Sequence, residues 1–87
     1  MNTADTQATD EIQVQFFAHL AEKFGEHRTV LLKPGSSTID LMDLLSAMRP
    51  DVSGLLAVCR VATDERILSS GEALPHRVCV FPPMSGG

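Results

Sequence analysis

The chain has 87 residues, 44% of them apolar and 21% charged, with a formal net charge of −4. That length holds one domain with a modest core and leaves no room for a deep internal active site, and no apolar run approaches the length of a bilayer span. Setting aside three acids of the first eleven residues (Asp5, Asp10 and Glu11) leaves 7 bases against 8 acids, so no basic stripe is available to hold nucleic acid.

Residues 1–10 are small, polar and aperiodic, which fits a mobile leader. They lack the positive end and apolar stretch of a secretory signal, which points to the cytoplasm. Ile12, Val14 and Phe16 alternate with Gln13 and Gln15, the period-two pattern of a strand with one buried face. Residues 18–24 then place Leu20 and Phe24 at helical spacing, with Gly25 positioned to end a short helix. Residues 28–33 form a second apolar run closed by the turn pair Pro34-Gly35. Ser37 stands three residues before Asp40 as an approximate capping box, and Ile39, Met42, Leu45 and Met48 read as the buried stripe of the main helix, which Pro50 stops. Residues 55–61 read as a nearly continuous buried strand, Ile67-Leu68 as a short strand and residues 77–81 as the last strand. The last strand is apolar enough to be expected at the centre of the sheet. A mixed sheet packed over one main helix, an α+β fold, accommodates this order. The expected division is a leader over 1–10, a domain over 11–81 and a tail over 82–87.

Candidate chemistry concentrates in the tail. Pro82 and Pro83 fix φ and favour an extended rod. Met84 and Ser85 follow, and Gly86-Gly87 put a bare carboxylate behind two residues without side chains. Such a tip can enter a channel too narrow for a Cβ, and its carbonyl carbon is open to attack. Elsewhere the signals are plainer. Cys59 and Cys79 lie in apolar runs without metal-ligand spacing and read as free, buried thiols. His19, His27 and His76 are scattered and read as surface residues, and no metal site is expected. If Phe16 and Val80 face inward, Phe17 and Phe81 fall on the outer face, where an exposed aromatic pair marks an interface.

The strand ending in Phe16-Phe17-Ala18, the helix ending in Phe24-Gly25, the capped helix from Ser37 to Met48 and the terminal run Phe81-Pro82-Pro83-Met84-Ser85-Gly86-Gly87 together resemble the ubiquitin-like β-grasp sulfur carriers, most of all the family of molybdopterin synthase small subunits. The resemblance covers about residues 11–87. It implies a ubiquitin-like β-grasp fold and a carrier with no permanently bound cofactor. An E1-like adenylyltransferase would use ATP to convert the Gly87 carboxylate to an acyl-adenylate, and a sulfur donor such as a cysteine desulfurase would supply the sulfur of a thiocarboxylate. The molybdopterin synthase large subunit would accept the tail and pass the sulfur to cyclic pyranopterin monophosphate, building the molybdopterin dithiolene. Gly87 would be the carrier group, Gly86 and Ser85 would thread the partner's channel, and Phe17, Phe81, Pro82, Pro83 and Met84 would contact partners. The chain would count as an enzyme only within that heteromeric synthase. Two features depart from the family pattern: Cys59 stands where asparagine is common, and residues 74–78 lack the usual Asp-Gly-Asp turn. Three other roles stay open, namely a sulfur carrier for thiamin thiazole assembly, a ubiquitin-like protein modifier and a plain β-grasp interaction domain.

Overall fold

The computed structural model describes residues 9–82. The leader up to Ala8 and the tail residues Pro83, Met84, Ser85, Gly86 and Gly87 lie outside the described residues. Strand β1 (Asp10–Phe16) leads into helix α1 (Ala18–Phe24), strand β2 (His27–Leu32) and helix α2 (Thr38–Met48). A 3₁₀ turn (Pro50–Val52), helix α3 (Ser53–Leu56), strand β3 (Arg60–Ala62) and strand β4 (Arg77–Phe81) complete the order. The four strands make one mixed sheet in the order β2-β1-β4-β3. β1 runs antiparallel to β2 and parallel to β4, while β3 runs antiparallel to β4. The last strand is therefore central, as its apolar run predicts.

Alternation along β1 puts Ile12, Val14 and Phe16 into the core and leaves Glu11, Gln13 and Gln15 exposed. Val78 and Val80 of β4 face the same way, and the helices cover that face with Leu20, Phe24, Leu41, Leu45 and Leu56. Phe16 and Phe24 stack with ring centroids 4.7 Å apart, locking α1 onto the end of β1.

Three expectations fail, the first two for a geometric reason. The stripe Ile39, Met42, Leu45, Met48 is not the buried face of α2. An α-helix turns about 100° per residue, so steps of three fall about 60° short each time and three of them carry the stripe to the opposite side. The buried set is Thr38, Leu41 and Leu45, with Met42 and Met48 half-buried and Ile39 51% exposed. The second failure is the strand expected over residues 55–61. Its first two residues close helix α3, Val52 and Leu56 are buried one turn apart, and Val58 and Cys59 donate their N–H groups to the carbonyls of Leu55 and Leu56 in a tight turn. An unbroken apolar run shorter than eight residues carries no period, so helix and strand cannot be told apart in it. Ile67 likewise contributes one bridge to Ala62 and no strand.

Local polar chemistry holds the connections. Ser37 caps α2 reciprocally: its N–H donates to Asp40 Oδ2 at 2.8 Å, and Asp40 N–H donates to Ser37 Oγ at 3.4 Å. Thr38, buried, accepts at Oγ1 from the Gly71 N–H at 2.8 Å and donates to the Ser69 carbonyl at 3.4 Å. Its own N–H donates to the Glu72 carbonyl at 3.0 Å. The long connection from β3 to β4 is thereby tied to the first turn of α2. Glu72 extends that tie on the surface, accepting from the Arg66 guanidinium and from the Ser69 N–H. At the other end of α2, Arg49 pairs with Asp51 through contacts of 3.1 and 2.9 Å, and Lys23 of α1 stands 3.5 Å from the same carboxylate.

One residue is strained. Ala18 has φ 54, in the left-handed region, where the chain passes from β1 into α1 without a loop. A Cβ there costs about 1–2 kcal/mol, and glycine would relieve it at an entropic cost of about 0.5–1 kcal/mol. Ala18→Gly should therefore be neutral or stabilising by up to about 1 kcal/mol in urea unfolding; a clear loss of stability would contradict the strained backbone. Leu41→Ala should cost about 2–5 kcal/mol in the same assay, and Ile39→Ala less than about 1 kcal/mol; the reverse ranking would restore the stripe rejected above. The Arg66 guanidinium and then the Ser69 N–H pull the Glu72 carboxyl down to about 2. A depressed carboxyl stabilises above its ordinary value of 4.5 and loses that contribution as pH falls towards 2. Glu72→Gln should flatten the acid limb of the stability–pH curve between those values; an unchanged limb would show that the pair contributes nothing.

Candidate functional site

β1 and β4 are parallel neighbours in which Phe16 is in register with Val80, so their C-terminal ends open at the same edge of the molecule. Phe17 and Phe81 follow these paired residues directly. Phe17 is extended, caps α1 and is 42% exposed, while Phe81 and Pro82 are half-buried. The expected outward aromatic is thus present in full at Phe17 and in part at Phe81. Left-handed Ala18 turns the chain away immediately after Phe17 and leaves that ring at the root of the tail. Nothing in the hydrophobic pattern signals this, because the φ of an alanine has no compositional mark.

Pro82 departs from the sheet's interior, since β4 has a partner on each side. A peptide leaving a central strand has its root fixed by two ladders, whereas an edge strand would give it one. The remaining expected site residues, Pro83, Met84, Ser85, Gly86 and Gly87, lie beyond the described residues.

The thiols are less buried than the sequence implies. Cys79 alternates with Val78 and Val80, so it lies half-buried on the outer face, in register with Gln15 on one side and Ala62 on the other. Cys59 is half-buried in the turn before β3, its Sγ 3.2 Å from the Leu55 carbonyl. Desolvation pushes both thiols above their ordinary value, and the charge of Asp64 adds to the rise at Cys79. Both stay protonated at neutral pH, the unreactive form for a sulfur-transfer nucleophile. His19, His27 and His76 are exposed, as expected. Among the described residues no group of three His, Cys, Asp or Glu side chains could hold a metal ion, and no helix is long and apolar enough to cross a membrane.

Two surface concavities stand out among the described residues. One, of about 600 Å³, runs between the first turns of α2 and the segment leading into β3, lined by Ile39, Met42, Val58, Cys59, Val61 and Leu68 among others. The other, of about 330 Å³, lies on the outer face of the sheet and is polar, with Gln13, Gln15, His27, Asp64 and Arg77 in its wall. Sequence patterning missed the first, because it forms where Ile39 and Val58 are exposed against expectation.

The profile of the ThiS family matches residues 14–87. Among solved structures, the SAMP1 protein of Haloferax volcanii is 25% identical with a TM-score of 0.68, over 88% of this chain and 99% of that one. A second Haloferax volcanii protein, HVO 2177, is 26% identical with a TM-score of 0.77, over 91% of this chain and 88% of that one. The ubiquitin of Caldiarchaeum subterraneum superposes with a TM-score of 0.62 over 92% of this chain and 100% of that one; at 15% identity this likeness shows the fold alone. No curated protein matches the chain. A central last strand flanked by one parallel and one antiparallel neighbour, seen together with the match through residue 87, leads to one conclusion: the chain belongs to the ThiS family of small proteins with the ubiquitin-like β-grasp fold, a family of sulfur carriers and modifiers.

Proposed function

We propose that the chain is a sulfur carrier serving as the small subunit of molybdopterin synthase, with the Gly87 carboxyl as its working group. One observation carries this reading. The central strand β4 delivers Phe81 and Pro82 out of the sheet at a fixed point, and Pro83-Met84-Ser85-Gly86-Gly87 follow in sequence within the family match. A carboxylate is a poor electrophile because its charge is delocalised, so the chemistry begins with a better leaving group. Family members typically work with E1-like partners, and such an adenylyltransferase would join the carboxylate to the α-phosphate of ATP with release of pyrophosphate. A sulfur donor such as a cysteine desulfurase would then offer a persulfide whose outer sulfur displaces AMP, and a second thiol would reduce the resulting acyl disulfide, leaving a thiocarboxylate and a donor disulfide. In the synthase large subunit, that sulfur would form a bond to carbon of cyclic pyranopterin monophosphate, and water at the Gly87 carbonyl carbon would return the carboxylate. Two such deliveries build the dithiolene.

The chain's own residues bind and position in this scheme. Phe17 and Phe81 would present apolar area to either partner beside the tail root, Pro82 and Pro83 would limit the entropy lost on insertion, and Gly86 and Ser85 would pass a narrow channel. ATP would be bound by the activating partner. The paired prolines favour the pterin acceptor over a thiazole acceptor, whose carriers usually lack them. A second reading, a protein modifier forming isopeptide bonds through Gly87, draws support from the likeness to the SAMP1 protein of Haloferax volcanii.

Incubation with ATP, an E1-like adenylyltransferase, a cysteine desulfurase and cysteine should give an intact mass raised by one oxygen-to-sulfur exchange, mapping to Gly87. Gly87→Ala should slow that exchange by about tenfold or more without moving the unfolding midpoint, because a methyl at the tip meets the channel and no core atom. An exchange at full rate in Gly87→Ala would remove the narrow-channel argument. Co-purification should recover a pterin-binding large subunit; recovery of a thiazole synthase would replace the acceptor, and a ladder of conjugates on denaturing, reducing immunoblots would favour the modifier.

A further inference from the structure

The groove beside α2, an apolar-walled concavity of about 600 Å³, has no role in the delivery scheme. Ile39 and Val58 on its walls are 51% and 55% exposed, and Met42 and Cys59 are half-buried within it. Such exposure costs free energy unless something covers it for part of the time. The strand register identifies a candidate. Phe81 pairs with Arg60 in an antiparallel ladder, so the residue after Phe81 is led towards Cys59 and the next towards Val58. Both are wall residues of the groove. Five residues follow Pro82, and an extended segment of that length spans up to about 17 Å. Among them Met84 has the one long apolar side chain.

We propose that the groove between α2 and β3 receives the chain's own C-terminal segment, Pro83–Gly87, with Met84 seated against Ile39, Met42 and Val58, so that the carrier tip alternates between a sheltered and an extended state. The magnitudes favour a reversible contact. A buried methionine has to offset only the ordering of the one residue that carries it, two contributions of similar size, so the docked state is populated without dominating strongly. A partner that grips the tail shifts the balance by differential affinity alone. That sheltering limits activation of Gly87 rests on the carrier reading; the docking itself does not.

Cys59 reports the docked state and Cys79, on the outer face away from the groove, serves as an internal control. Iodoacetamide alkylation of the full chain should be followed by peptide mass mapping at both cysteines. Met84→Ser, and separately a chain ending at Pro82, should raise the rate at Cys59 by about threefold while leaving Cys79 unchanged. Equal rates at Cys59 in all three proteins overturn the proposal. A Cys59 rate that falls with protein concentration assigns the groove to a second copy and also overturns it. So does a rate indifferent to the tail but lowered by adding the E1-like adenylyltransferase. None of these readouts needs sulfur transfer, so a failed thiocarboxylation would sink the carrier reading and leave this result standing.

Discussion

The parallel pairing of β1 with β4 is the contact on which the remaining architecture depends. It joins residues more than sixty positions apart, placing Val14 beside Val78 and Phe16 beside Val80. These four side chains form the floor over which α1 and α2 pack. β3 reaches the sheet only through β4, and β2 only through β1. Without that ladder there would be two unconnected pairs of strands, each too small to hold a hydrophobic face out of water. The same ladder decides where the two strands end, and so it brings Phe17 and the root of the tail together.

A scaffold of this kind separates stability from chemistry. Core side chains lie between the sheet and the helices, with Val80 the last of them along the chain, and the capping and loop-tying hydrogen bonds run around Ser37, Thr38 and Glu72, so neither set includes Phe81 or Pro82. The one strained residue near the tail root, Ala18, is held by the Phe16–Phe24 stack and by the helix that begins there. Strain of this kind persists only where the surroundings over-determine it. Its effect is to stop β1 abruptly, so that the ring of Phe17 is not drawn into α1's buried side.

Much of this was legible in the sequence, and the reasons differ from place to place. β1 was readable because the Ile12-Val14-Phe16 alternation has one interpretation, and α2 because Ser37 and Asp40 mark its start chemically. The centrality of β4 followed from an apolar run that a small sheet could not leave at its edge. What escaped was phase and short-range conformation. The face of α2 was misassigned because residues three apart drift around the helix, and residues 55–61 were misassigned because apolar runs without period are ambiguous. The groove depended on both errors at once, since Ile39 belongs to one and Val58 to the other. The tail residues were singled out for their chemistry, which composition states directly: two prolines to stiffen, two glycines to clear the way.

The position of β4 in the chain has a consequence for biosynthesis. The strand that completes the sheet leaves the ribosome after its neighbours β1 and β3, which are made earlier and must wait for it. Pairings that close such long loops form slowly and only when both halves are present. A chain interrupted before residue 77 would thus leave β1 and β3 with nothing between them, and proteolysis would clear it. Translation order therefore acts as an inspection step: only polypeptides synthesised through β4 can complete the sheet.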